Sequence, residues 1–268
     1  MAELKGPFLF TGSIGNIRAY YNKTLKRFIL STKGGSNKTM IENNPRFARQ
    51  LENMNEFRAC TLWASLLRRL LVDIGHLHEG YYFSKIVAMG KSIQKHDDVL
   101  LKGKRSIESS KAARLLTSLN FNPSHPFDQV LTHQYEVLFS QDNRTVTLKL
   151  LGFKSFSRIV WPGGFECYRI ALVIGQLPDM VWSEKDNRYL PVATGKERLT
   201  KSSFSEWHPC STVTEDVILS ASFAQPALQQ TGTTVVVAVG IEVSTSNGGS
   251  SSGSLTGFGT MKIVECFV

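Results

Sequence analysis

The sequence predicts an α+β protein, with an N-terminal β-ribbon and helices followed by a C-terminal antiparallel β-sandwich. Apolar residues recur at helical spacing over residues 45–119, whereas after Pro126 they alternate with period two and are mostly β-branched or aromatic. Positive charge is also unevenly placed, because residues 1–127 hold 20 Lys/Arg and 9 Asp/Glu. We therefore predict two domains, a basic ribbon-and-helix region over 1–123 and a sandwich-like domain over 124–268.

Residues 6–34 have the pattern of a small antiparallel ribbon. Gly12, Gly15 and Asn16 predict one chain reversal, since such residues adopt the backbone angles that tight turns need. Asn22 and Lys23 predict a second reversal, between strands at 17–21 and 25–32. A polar loop follows to residue 44.

Asn44 and Pro45 predict a helix start, since Asn caps free N–H groups and Pro suits the first helical position. The helix should end near Gly75. Its predicted buried stripe consists of Phe47, Leu51, Met54, Phe57, Leu62, Leu66 and Leu70, and its basic outer face of Arg46, Arg49, Arg58, Arg68 and Arg69. Further helices are predicted over 81–94 and 107–119, and the boundary lies in the proline-containing stretch 120–128.

The remaining pattern predicts seven or eight short strands separated by turn signals, which is typical of a sandwich. The Ser/Gly-rich stretch 244–259 is expected to be a flexible loop between the last two strands. Such a loop is either plain solvent-exposed chain or a place where a partner is held. The predicted strands are 134–139, 145–151, 167–174, 180–182, 189–192, 213–223, 233–243 and 261–268.

The motifs that would indicate an enzyme are missing, so we expect no catalytic residues, no cofactor and no metal site. Residues 249–253 match G-x-S-x-G, but no helical pattern follows them and no histidine lies beyond His208. His76 and His78 are two residues apart, a spacing that a single metal ion does not favour. His96 is expected in a solvated connection, and the four separate cysteines are expected to be reduced.

The longest apolar runs are far shorter than the roughly 20 residues of a membrane-spanning helix. The N-terminal apolar stretch 7–10 is also too short for a secretory signal. We therefore expect no membrane span and synthesis in the cytoplasm.

The chain resembles one group of proteins in four features: the glycine-marked stretch 12–16, Tyr20, the basic turn and the helix start at 44–47. Its opening resembles that of uncharacterised Bacteroidota proteins that often occur in phages and other mobile elements. The resemblance covers residues 6–60 by motif and the rest by architecture, a hairpin, a helical segment and a β-sandwich-like part. It implies a particle component or other assembly protein and no catalytic residues.

Three functional hypotheses follow. The first is a non-enzymatic structural subunit of a phage or phage-like particle, which binds copies of itself or neighbouring subunits and is incorporated in the particle. The second is a DNA-binding protein, since cations and aromatics alternate on the ribbon and an arginine-rich helix follows. The third is a carbohydrate- or surface-binding module that uses Trp161, Trp182 and Trp207. The predicted partner-binding residues are Arg18, Tyr20, Tyr21, Lys23, Lys26, Arg27, Arg46, Arg49, Arg58, Arg68 and Arg69.

Overall fold

The structure, a computed structural model, describes residues 2–3, 6, 9–32, 38–80, 82–140, 142, 144–162, 164–192, 200–225, 231–244 and 258–268. It confirms the predicted α+β class with C-terminal antiparallel sheets. The helices are α1 (Lys38–Asn43), α2 (Ala48–Leu70), α3 (Tyr82–Gln94), α4 (Ala113–Leu116), α5 (Phe127–Val130) and α6 (Ser155–Arg158), with 3-10 segments at Pro45–Phe47 and Val72–Leu77. The strands are β1 (Ala2–Glu3), β2 (Gly12–Ile14), β3 (Ile17–Asn22), β4 (Arg27–Thr32), β5 (Glu136–Phe139), β6 (Thr145–Leu150), β7 (Phe153–Lys154), β8 (Cys167–Pro178), β9 (Met180–Ser183), β10 (Arg188–Pro191), β11 (Thr200–Phe204), β12 (His208–Pro209), β13 (Val213–Thr214), β14 (Val217–Ser222), β15 (Thr233–Ser244) and β16 (Phe258–Phe267).

The N-terminal unit, residues 1–51, contains a four-stranded antiparallel sheet in the order β1-β4-β3-β2. Gly15, at φ +57°, and Asn16 form the two-residue turn between β2 and β3, as the sequence predicted. The turn between β3 and β4 is closed by Asn22, whose side-chain oxygen accepts a hydrogen bond from the Leu25 N–H at 2.9 Å.

The larger unit, residues 52–268, contains two antiparallel sheets packed face to face, with a helical layer on the other side of one of them. The central sheet has the order β11-β8-β15-β16, and the second sheet has the order β14-β6-β5. Side chains alternate along β8, so that Ile170 and Leu172 face the second sheet while Ala171 and Val173 face the helices. The sandwich therefore shares its central sheet with α2 and α3.

This shared core explains why the structure divides the chain between Leu51 and Glu52, whereas the sequence predicted a boundary between 123 and 124. Trp63 of α2 and Ile86 of α3 are fully buried in the same cluster as Val173 and Ala238 of the central sheet. Separating the helices from the sandwich would expose that cluster to water, so the two form one unit.

Two glycines of the central sheet let the helical layer approach closely. A Cβ atom at Gly175 would lie 2.7 Å from Leu70, and one at Gly240 would lie 2.7 Å from Leu77. Both distances are shorter than carbon atoms tolerate, so only glycine fits beneath the end of α2 and the 3-10 segment that follows it.

Two local predictions were wrong. The helix predicted over 107–119 is reduced to the four residues of α4, because Ile107 instead pairs with Met180 as an isolated β-bridge. The strand predicted over 213–223 is interrupted and forms β13 and β14, and β11 was not predicted. Most of the Ser/Gly-rich loop, with the G-x-S-x-G motif, lies outside the described residues.

Candidate interaction surface

The N-terminal sheet sorts the predicted cations and aromatics onto two faces. Directly opposed residues of antiparallel strands share a face, so the register of β3 with β4 places Arg18 and Tyr20 on the same side as Arg27. The Arg18 guanidinium carbon lies 5.7 Å from the centre of the Tyr20 ring. A nitrogen of Arg27 lies 3.6 Å from a carboxylate oxygen of Glu3. This side is the polar face of the sheet, although it also carries Ile29, which lies opposite Tyr20 and is buried.

The opposite side, which we call the apolar face, consists of Ile14, Ile17, Tyr21, Phe28 and Leu30. The rings of Tyr21 and Phe28 meet edge-on with their centres 5.2 Å apart. Ile14, Ile17 and Tyr21 nevertheless expose 65%, 43% and 46% of their surface. Sequence reasoning missed this face, although the alternation of Ile17 and Tyr21 with Arg18 and Tyr20 carried the signal.

The N-terminal unit is strongly basic and has a small core. Residues 1–51 contain nine Lys/Arg and two Asp/Glu, a net charge of +7. Lys23 and Lys26 lie exposed in the turn between β3 and β4. The buried apolar residues among its described positions are Ala19, Ile29 and Ile41.

The predicted arginines of the long helix lie near its start and along its outer side. Asn44 caps the 3-10 segment Pro45–Phe47 that leads into α2, since its side-chain oxygen accepts a hydrogen bond from the Arg46 N–H at 3.0 Å. Arg46 and Arg49 are exposed in this first part. Arg58, Arg68 and Arg69 are exposed further along α2, and the Arg68 guanidinium carbon lies 6.0 Å from the centre of the Phe83 ring.

The buried side of α2 differs from the predicted one. It consists of Glu56, Ala59, Cys60, Trp63, Ala64, Leu67 and Leu70. Met54, Phe57 and Leu62, which were expected to be buried, are 43%, 61% and 43% exposed. The outer side of the helix is therefore apolar as well as basic.

Glu56 is the most highly coordinated carboxylate in the described structure. It accepts hydrogen bonds from two nitrogens of Arg105, at 2.6 and 2.7 Å, from the Gly103 N–H at 3.0 Å and from Lys91. Burial opposes its ionisation, but these donors outweigh the burial and lower the pKa of Glu56 from 4.5 to about 2. Because its oxygens are saturated, Glu56 is suited to holding the 95–112 loop on α2 rather than to transferring protons.

A second buried carboxylate, Glu242 on β15, binds Arg169 of β8. The Arg169 Nε donates to Glu242 Oε2 at 2.5 Å, and the Arg169 guanidinium carbon lies 4.9 Å from the ring centres of both Phe204 and Trp207. His76 Nε2 lies 2.7 Å from Glu242 Oε1, although this contact lacks the alignment of a hydrogen bond. The cluster joins the 3-10 segment to the central sheet.

A cavity of about 450 Å³ lies beside the 95–112 loop, and several of its polar groups are engaged within the chain. The Asp97 carboxylate accepts three backbone N–H hydrogen bonds at 2.7 to 3.0 Å. Lys111 lies 2.8 Å from Glu108, and Ser110 binds Asp179. The lining consists of Ile93, His96, Asp97, Ser106, Glu108, Ser110, Lys111, Ala112, Ala113, Arg114 and Leu115.

The histidines are placed with different neighbours. The His78 ring contacts the Tyr82 ring at a tilt of 50°, with ring centres 3.9 Å apart, whereas His76 lies against Glu242 and His96 contacts the Ser92 carbonyl. Within the described ranges, no group of three His, Cys, Asp or Glu side chains is arranged to hold a metal ion. All four cysteines are free thiols.

The tryptophans of the third hypothesis also have separate surroundings. Trp161 stacks on His125, Trp182 contacts Tyr189 edge-on, and Trp207 lies over Arg169. All three rings are partly buried. This arrangement is typical of rings that pack at the margin of a core.

Comparison with known proteins gives no relative from which a function could be transferred. No protein-family model, no curated protein and no solved structure matches the chain. Among the described helices, none is long and apolar enough to span a membrane.

Proposed function

We propose that this protein is a non-enzymatic assembly subunit, and that one copy binds the next through the N-terminal unit. The observation that carries the proposal is the exposed apolar face of the N-terminal sheet, formed around Ile14, Ile17 and Tyr21. Exposed apolar side chains that adjoin one another are typical of protein contact sites. A unit with so few buried apolar residues would also gain stability from a partner that covers this face.

Charge favours the C-terminal part of a neighbouring copy as the occupant. Residues 1–51 have a net charge of +7, whereas residues 128–268 contain 11 Lys/Arg and 13 Asp/Glu. Two N-terminal units would repel one another, but an N-terminal unit and a C-terminal region attract. Such a contact joins two different surfaces and repeats from copy to copy, which produces rings or filaments. The resemblance of residues 6–60 to phage-associated proteins supports a phage or phage-like particle as the setting.

The test compares the full chain with a variant that carries both Ile14→Ser and Ile17→Ser. The control is Val72→Ser in the 3-10 segment Val72–Leu77, because Val72 is β-branched like Ile14, is 52% exposed and lies outside both residues 1–51 and residues 128–268. We expect native mass spectrometry and electron microscopy to show oligomers for the unmodified chain and the control, and monomers for the double variant. A chain that stays monomeric at micromolar concentration, or a double variant that assembles normally, would disprove the proposal.

A second candidate function is DNA binding, which is favoured by the exposed cations Arg18, Lys23, Lys26, Arg46 and Arg49 in one small unit. In a plot of log K against the logarithm of the salt concentration, each phosphate contact would make the slope more negative by about 0.9. The full chain with Lys23→Gln and Lys26→Gln should then bind duplex DNA more weakly and with a smaller salt slope. Absence of duplex binding at low salt rejects this function.

A further inference from the structure

The outer side of α2 carries a second set of exposed apolar side chains, which belong to the larger unit. We call it the α2 outer stripe and define it as Met54, Phe57, Arg58, Leu62 and Arg69. Phe57 and Arg58 lie three and four residues after Met54, Leu62 lies four after Arg58 and Arg69 lies seven after Leu62, so they project from one side of the helix. Phe57 is the most exposed of its apolar members, at 61%.

The stripe combines apolar side chains with unpaired positive charge. Residues 57–70 contain three arginines and no acidic residue. Arg58 and Arg69 form no ion pair with any residue that the structure describes. Glu56 is adjacent in sequence but lies on the buried side, where Arg105 and Lys91 neutralise it. Its apolar side chains are thus exposed, and its two arginines have no counter-charge among the described residues.

We propose that the α2 outer stripe binds an acidic amphipathic helix of a different protein. Apolar side chains of that helix would cover Met54, Phe57 and Leu62, and its carboxylates would pair with Arg58 and Arg69. This is the helix-on-helix form of recognition, in which a few apolar anchors give affinity and charged neighbours give register. Aromatic and arginine side chains are also the residue types that dominate binding energy at interfaces.

Charge also distinguishes the proposed occupant from two others. Nucleic acid would neutralise the arginines, but its phosphates would leave Met54, Phe57 and Leu62 uncovered. A second copy of this chain offers no acidic helix among those described, since its own α2 is rich in arginine. The other described helices are not acidic either, since α3, α4 and α6 contain no Asp/Glu and α1 and α5 contain one each.

The test measures binding of the full chain to a fluorescently labelled helical peptide. In the probe, leucines recur at positions i, i+3, i+4 and i+7, and glutamates fill the outer positions. A second peptide of identical composition has its leucines scattered around the helix, and a short DNA duplex is the third probe. We expect the patterned peptide to bind at low salt, more weakly at high salt, and more tightly than both other probes.

Phe57→Ala should weaken binding of the patterned peptide about tenfold, which corresponds to about 1.4 kcal/mol. Phe156→Ala is the matched control, because Phe156 is also 61% exposed but lies on α6. Arg58→Gln and Arg69→Gln should reduce the salt dependence, whereas the Ile14→Ser and Ile17→Ser variant should bind as the unmodified chain does. Failure of the patterned peptide to bind, equal binding of the scattered peptide, preference for the duplex, or insensitivity to Phe57→Ala would each overturn the inference.

Discussion

The Arg105 guanidinium binds both carboxylate oxygens of Glu56, at 2.6 and 2.7 Å, although the two residues are 49 positions apart in the chain. This ion pair joins the buried side of α2 to the loop that leads to α4. Gln94 supports the same junction, because its side-chain N–H donates to the Arg105 carbonyl at 2.9 Å. The loop is thus held on the helical layer by these polar contacts together with Ile107, which is buried in the shared core.

Replacing Glu56 by glutamine should lower the free energy of unfolding by about 3 kcal/mol, since a buried ion pair loses its anion and leaves Arg105 and Lys91 without a counter-charge. Urea unfolding followed by circular dichroism measures the change. Asp128→Asn is the comparison, because it removes the more exposed ion pair with Lys262. That variant should lose less than about 1 kcal/mol. Equal losses in the two variants would contradict the structural role of Glu56.

Acid should destabilise the protein partly through Glu56. Its pKa is about 2 in the folded chain, below the ordinary value of 4.5, so the ionised form stabilises the fold. The stabilisation is fully present above pH 4.5 and is lost as the pH falls towards 2. Its size is on the order of 3 kcal/mol, because each unit of pKa corresponds to about 1.4 kcal/mol. Unfolding measured over this range should depend less on pH in Glu56→Gln than in the unmodified chain, and identical profiles would refute the prediction.

Adding a methyl group at Gly240 should destabilise the contact between the central sheet and the 3-10 segment. The new Cβ would lie 2.7 Å from a Leu77 methyl carbon and 3.3 Å from Ile74. We expect Gly240→Ala to reduce the free energy of unfolding by about 1–3 kcal/mol, the usual cost of overpacking. Gly75→Ala is the control, since its Cβ would meet its nearest atom, the Tyr82 hydroxyl, at 3.9 Å. A stable Gly240→Ala variant would show that the layers are less tightly packed than described.

Arg169→Gln should destabilise the fold by about 3 kcal/mol, because Glu242 is 2% exposed and would lose its hydrogen-bonded cation. Arg169→Lys should restore only part of this loss, since lysine lacks the planar group that lies between Phe204 and Trp207. Adding Glu242→Gln to Arg169→Gln removes the unpaired charge and should recover stability. A double variant less stable than either single variant would argue against this coupling. Chemical unfolding monitored by tryptophan fluorescence measures the stability of each of these variants.

The sequence was sufficient for the features that local chemistry controls. Gly15 and Asn16 formed the predicted turn, Asn44 capped the predicted helix start, and the alternating stretches after Pro126 formed antiparallel strands. It also determined the basic character of residues 1–51. Each of these depends on a few neighbouring residues or on composition, so no knowledge of distant contacts was needed.

The buried side of α2 was decided only by tertiary packing. Met54 and Phe57 satisfy helical spacing as well as Ala59 and Trp63 do, so periodicity alone could not choose between the two stripes. The structure buries the stripe that contains Trp63, whose indole N–H binds Ser109 at 2.7 Å and whose ring lies directly against Gly90 of α3. The separation of the N-terminal sheet into polar and apolar faces likewise required the strand register. Both outcomes depend on the fit of side chains and the pairing of strands between segments that are far apart in the chain. The pattern of hydrophobicity along the sequence does not specify either of them.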